Sequence, residues 1–219
     1  MKKFVRNNAL AIAMFGFFVI FLIGLALTGH QQHNQELTSH QQASISFWQY
    51  IVSGSFIEAV FENWESEFLQ MGALVVLTIW LHQKGSPDSK KLIGKDAVDT
   101  SSRYSIIRAA TWSKRKRALA EAFYANSLSI ALFALFIVSL ALHAWGGVHA
   151  YNQESQLHGE ASFTLWQYLG SAQFWYESFQ NWQSEFLSVG MLIVLSIFLR
   201  QRGSPQSKPI GEPNAQTGS

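Results

Sequence analysis

Asn63 and Glu67 stand four residues apart, which places an amide and a carboxylate on one face of a helix. The same pair returns as Asn181 and Glu185. Two such carboxylates at the edge of a low-dielectric barrier, brought together by repetition, suit a shared proton or a bound cation. The competing reading is a hydrogen-bonded clamp. In it, Glu67 accepts from Trp48, Tyr50 or backbone donors and pins a short interfacial helix to the next span. The clamp is the preferred reading, because packing motifs are duplicated more often than proton relays.

Histidines offer a second chemistry. His30, His33, Glu36 and His40 are followed much later by His149, Glu154 and His158. Only the pairs Glu36/His40 and Glu154/His158 correspond by position. Their i, i+4 spacing permits joint metal ligation on a helix. A polar loop produces this spacing by chance, so neither a metal nor a cofactor is expected. His143 lies in an apolar run opposite Leu25 and reads as a hydrogen-bonding partner for a neighbouring helix. Phosphate-binding glycine loops, zinc-protease helices and serine elbows are all absent from the sequence. There is no cysteine. An enzyme is therefore not expected.

The elements that must position these residues are written twice. Phe61 to Leu69 returns as Phe179 to Leu187, 118 positions later, with two Glu-to-Gln changes. The same offset relates Asn34-Gln-Glu to Asn152-Gln-Glu, Trp48-Gln-Tyr50 to Trp166-Gln-Tyr168, and Gly85-Ser-Pro to Gly203-Ser-Pro. Leu10 to Leu27 and Ser127 to Val148 are uncharged apolar runs, each long enough to cross a hydrocarbon core of about 30 Å. A second crossing in each copy requires starting at Asn63 or Asn181. Spans are expected at about 9–29, 63–83, 127–148 and 181–201. The first is read as a retained span rather than a signal peptide, since its duplicate lies mid-chain. Ala9, Ala13 and Gly16, matching Ser127, Ala131 and Ala134, form a small-residue stripe for close helix packing.

Between the spans of each copy a polar loop (His30 to Ser44 in the first) precedes a short interfacial helix, Ser44 to Val52, and an acidic helix that runs into the second span. Ser55 and Glu58 suit a capping box there. Gly85 and Gly203 are expected to end the second spans. Trp48, Tyr50, Trp64, Trp166, Tyr168 and Trp182 read as anchors at the headgroup level.

Charge orients the whole. All 16 Lys and Arg residues fall before the first span, between the second and third, or after the fourth. Segments 30–67 and 149–185 hold none of them, and nine of the 14 acids. The positive-inside rule then places both termini and the central segment in the cytoplasm. Lys114, Arg115, Lys116 and Arg117 are expected to attract anionic phospholipids, at about 1 kcal/mol per basic residue near the surface. Nucleic acid is not an expected partner.

The expected fold is an all-α membrane protein: four transmembrane helices as two tandem, same-orientation helical hairpins, with interfacial helices on the outer side. Its divisions are a first repeat (1–95), a basic cytoplasmic linker (96–120), a second repeat (121–212) and a disordered tail (213–219). The repeated Asn-Trp-x-Ser-Glu-Phe-Leu and the Gly-Ser-Pro-x-Ser-Lys endings resemble a family of small bacterial integral membrane proteins catalogued as a domain of unknown function. That resemblance implies a bacterial inner membrane and assigns no activity. The expected role is structural or partner-binding. The alternative is a small proton- or cation-coupled transporter or channel using Glu67 and Glu185, which with four spans would require a homo-oligomer.

Overall fold

A computed structural model describes residues 2–91, 94 and 114–217, with the backbone alone for residues 2 and 114–118. Eight α-helices occur among these residues. They are α1 (Lys2–Asn7), α2 (Ala9–Ser39), α3 (Phe47–Ile51), α4 (Gly54–Leu77), α5 (Lys114–Ala125), α6 (Ser127–His158), α7 (Leu165–Leu169) and α8 (Ala172–Phe198). The order α1 to α4 is repeated by α5 to α8. Most of the expected linker 96–120 lies outside the described residues. Its last part forms the start of α5.

Three helices, α2, α6 and α8, are long and apolar enough to cross a membrane, with mean hydropathies of 2.8, 2.2 and 1.2 over their most apolar stretches. Their apolar side chains are largely exposed, as with Phe15 and Phe21 at 70% each, a surface suited to lipid rather than water. By length and composition this is a multi-pass membrane protein. Helix α4, the counterpart of α8, is less apolar. It carries Glu58, Glu62, Glu65 and Glu67, where α8 carries only Glu177 and Glu185.

Several boundaries differ from expectation for local reasons. The segment read as a polar loop after the first span is mostly helix. Gln31 to Ser39 contains neither Gly nor Pro, and α2 continues through it. The helix stops where Gln41 turns left-handed, with φ 60°. Gln41 N–H then donates to the Thr38 carbonyl (3.0 Å) and Gln42 N–H to the Leu37 carbonyl (2.8 Å), the paired bonds of a Schellman ending. In the second copy Gly159, with φ 70°, takes the place of Gln41 and makes the corresponding bonds.

The caps also lie elsewhere. Ser46 and Gln49 form a capping box on α3, and Thr164 and Gln167 form one on α7. Helix α4 is met by Ser53, whose Oγ accepts from Phe56 N–H at 3.3 Å, and α8 by Ser171 through Phe174 N–H at the same distance. Ser53 and Ser171 are repeat counterparts, which Ser55 and Gln173 cannot match chemically.

At the other end α4 stops at Leu77 and α8 at Phe198, short of the expected 83 and 201. Thr78 bonds back to the Leu74 carbonyl, and the next amides tighten to i−3 bonds before the chain turns. Gly85 and Gly203 are left-handed (φ 88° and 79°) but sit in the turn beyond the helix. Ser89 Oγ accepts from Gln83 N–H at 2.9 Å, and Ser207 Oγ from Gln201 N–H at 2.8 Å. The repeated Gly-Ser-Pro-x-Ser is thus a closed turn. Residues 206–217, whose last part falls in the expected disordered tail, form turns held by Lys208, whose Nζ donates to the carbonyls of Asn214 (3.0 Å) and Gln216 (2.9 Å).

The structure divides into two compact units. The first comprises Met1–Phe61 and Ala141–Phe174, the second Glu62–Leu140 and Trp175–Ser219. Each unit draws on both copies.

Candidate functional site

In the first unit each copy folds its short helix back with the same two contacts. Asn34, on the polar end of α2, brackets Ile45: its Oδ1 accepts from Ile45 N–H (2.8 Å) and its Nδ2 donates to the Ile45 carbonyl (3.0 Å). Asn152 on α6 brackets Phe163 at 2.6 and 2.8 Å. Both backbone groups of a connecting residue are thereby satisfied without water. One helical turn or so below, the Tyr50 hydroxyl rests on Gly29 and the Tyr168 hydroxyl on Gly147. A Cβ at either glycine would collide with the hydroxyl. Both tyrosines are buried, and burial raises the Tyr50 phenol above its usual range.

The copies diverge around the second tyrosine. Tyr168 donates to Glu58 Oε1 at 3.1 Å, an ionisable partner whose counterpart is Tyr176. A ring nitrogen of His143 lies within 4.8 Å of a Glu58 carboxylate oxygen. The His143 ring, fully buried, packs on Phe174 with centroids 5.0 Å apart. Backbone approach allows this. A Cβ on Gly54 would stand 2.6 Å from the Gly146 carbonyl oxygen, and one on Gly146 the same distance from Glu58 N. The two glycines let the start of α4 cross α6 at backbone contact. Their counterparts are Ala172 and Thr28, so this crossing is specific to one pair of helices.

Beside it is a cavity of about 140 Å³ lined by His33, Ser55, Glu36, Glu58, Gln153 and Glu154 among others. His33 lies beyond the apolar part of α2. Burial holds its imidazole below the usual histidine range; Glu36 opposes this and His30 adds to it. Its Nε2 is enclosed and makes no hydrogen bond.

The second unit holds the acids that motif reading singled out. Glu67 and Glu185 lie within electrostatic reach of each other. Asn181 donates to Glu62 at 2.5 Å, and Trp182 Nε1 donates to Glu65 Oε1 at 3.2 Å. Glu65 is fully buried. Asn181 and Trp182 therefore hold glutamates of α4, neither of them the one at the repeated position. Asn63 and Glu67 face outward and Trp64 is half-buried. Trp182 packs against Phe136, Trp175 and Phe179. Of the expected anchors, Trp48 and Trp166 are 76% and 80% exposed, whereas Tyr50 and Tyr168 are internal. Gly72 meets Phe133, while Gly16 and Gly190 have nothing within 4 Å of a built Cβ. Lys114, Arg115, Lys116 and Arg117 begin α5, and their side chains lie outside the described residues.

Sequence reasoning gave no role to Asn34/Asn152 or Gly29/Gly147, read Ser89/Ser207 only as part of a repeated ending, and gave Glu58 only a cap. The first three were within reach as identical residues at the constant offset. Glu58 was not, because only its tertiary neighbours distinguish it.

The family described as "Domain of unknown function (DUF6766)" matches residues 1–219. No curated protein and no solved structure matches the chain.

Proposed function

This chain belongs to the DUF6766 family, and from that premise we propose a four-span membrane protein of structural or partner-binding role, with both termini and the central segment cytoplasmic. The observation that carries the role is how the repeated residues are used. Asn34/Asn152, Tyr50/Tyr168 and Ser89/Ser207 all close the backbone on itself. The duplicated chemistry is spent on holding shape. Basic residues confined to one set of segments support the topology, and resemblance to bacterial membrane proteins supports an inner-membrane location. Helix α4 makes the fourth crossing, with Glu58, Glu62 and Glu65 accepting from Tyr168, Asn181 and Trp182. Reporter fusions at residues 40 and 160 should lie outside and those at residue 100 and both termini inside. Residues 40 and 100 in one compartment would refute the topology.

A second reading is favoured by the repeat itself: Glu67 and Glu185 occupy matching positions of the two copies. Repeat-related carboxylates that end segments holding no Lys or Arg suit proton or cation transfer. In vesicles, this reading requires flux by the wild type and its loss in E67Q and E185Q at normal protein levels. Lost protein without wild-type flux supports the structural role.

A further inference from the structure

A cavity of about 390 Å³ opens in the second unit, beside the end of α4. One wall is apolar: Leu74, Leu77 and Leu81, faced by Ile193 of α8. The other is the repeated turn, from which Gln83, Ser86 and Asp88 line it together with His82. The lining holds one acid, Asp88, and no Lys or Arg. We infer that this pocket binds an aminophospholipid, its ammonium group at Asp88 and an acyl chain along the leucines.

The two copies differ here by a linked exchange of charge. The counterpart of His82 is Arg200, and the counterpart of Asp88 is Gln206. In the second copy the Arg200 guanidinium closes the end of α8 from within the chain. Its Nη1 donates to the carbonyls of Ile197 (3.1 Å) and Leu199 (2.9 Å), and its Nη2 to the Glu212 carbonyl (3.0 Å) and Asn214 Oδ1 (2.9 Å). At the end of α4 the His82 ring turns instead to the Lys90 carbonyl, 3.3 Å from Nδ1. The first copy therefore has one acid more and one guanidinium fewer where the second supplies its own cation. That acid, and the partial negative charge at the carboxyl end of a helix, favour a cation brought from outside.

Size and lining point to an amphiphile. The volume falls among those of ligand pockets, which are mostly apolar with a few placed polar groups. Leu77 and Leu81 are 44% and 60% exposed, so the apolar wall runs onto the helix surface where acyl chains lie. A soluble amine would leave this wall wet. Lys84, exposed beside Gln83, supplies a cation for the lipid phosphate while Asp88 takes the ammonium. Phosphatidylglycerol has no ammonium, and a trimethylated choline has no N–H to donate. The matching headgroup is phosphoethanolamine. An acyl chain reaches these leucines only if α4 crosses the membrane, which the reporter fusions test separately.

The test uses the full chain in detergent, read by native mass spectrometry with phosphatidylethanolamine, phosphatidylcholine and phosphatidylglycerol of equal chain length. The wild type should retain one phosphatidylethanolamine at about tenfold lower lipid concentration than either of the others. D88N should abolish this preference. H82R, which gives the first copy the cation of the second, should abolish it too. E160Q, which removes an acid from the other end of the protein, should keep it. A wild type without preference, or a preference that survives in D88N or H82R, overturns the pocket. Loss in E160Q would make the effect one of net charge and overturn it as well. Should the pocket variants fail to fold, the wild type decides. Spermidine that displaces the lipid at equal concentration would make the occupant a free amine and overturn the lipid; retention of the lipid supports it.

Discussion

The Tyr168 hydroxyl rests on Gly147 while donating to Glu58 Oε1 at 3.1 Å. One phenol thereby locks α7 to α6 and orients a carboxylate of α4. Gly147→Ala should destabilise the protein by about 1–3 kcal/mol through overpacking. Tyr168→Phe should cost about 1–2 kcal/mol through the lost bond to Glu58. Thermal unfolding in detergent checks both. The alanine should cost less in the Tyr168→Phe background, because the colliding oxygen is gone. Equal cost in both backgrounds would place the clash elsewhere.

Asn152→Asp separates the two halves of the bracket on Phe163. The carboxylate still accepts from Phe163 N–H but cannot donate to its carbonyl and repels it. A loss of about 1–3 kcal/mol is expected, with faster amide exchange around residues 159–165. Asn34→Asp should behave alike around residues 41–47. Exchange rates at wild-type values would show that neither bracket bears load.

Trp182→Phe removes the indole donor to buried Glu65 while keeping an aromatic ring against Phe136. The expected cost is about 1–2 kcal/mol. In a Glu65→Gln background the same change should cost less, since a neutral amide oxygen is the weaker acceptor. A double-mutant cycle with no coupling would assign the cost to packing alone.

Gln41 adopts a conformation that the second copy assigns to Gly159. Gln41→Gly should therefore stabilise by about 0.5–1 kcal/mol, the strain relieved less the added entropy of the unfolded glycine. Gly159→Gln should do the reverse. A fall in melting temperature for Gln41→Gly would contradict the Schellman ending.

The linear chain determined the periodic features. Apolar runs, a duplication with constant offset and the segregation of basic residues follow from local composition, and each requires only that helices cross a low-dielectric layer. Phe47–Ile51 and Leu165–Leu169 were legible as short helices for the same reason. Tertiary structure decided which repeated residue meets what. Asn181 and Glu185 share a helical face, yet Asn181 bonds Glu62, because hydrogen-bond partners depend on how helices rotate about their axes, which a repeat does not encode. Glycine at 54 and 146 lets two backbones touch and brings Glu58 beside Tyr168 and His143. Close approach is a property of two surfaces at once, and a single strand of letters describes only one of them at a time.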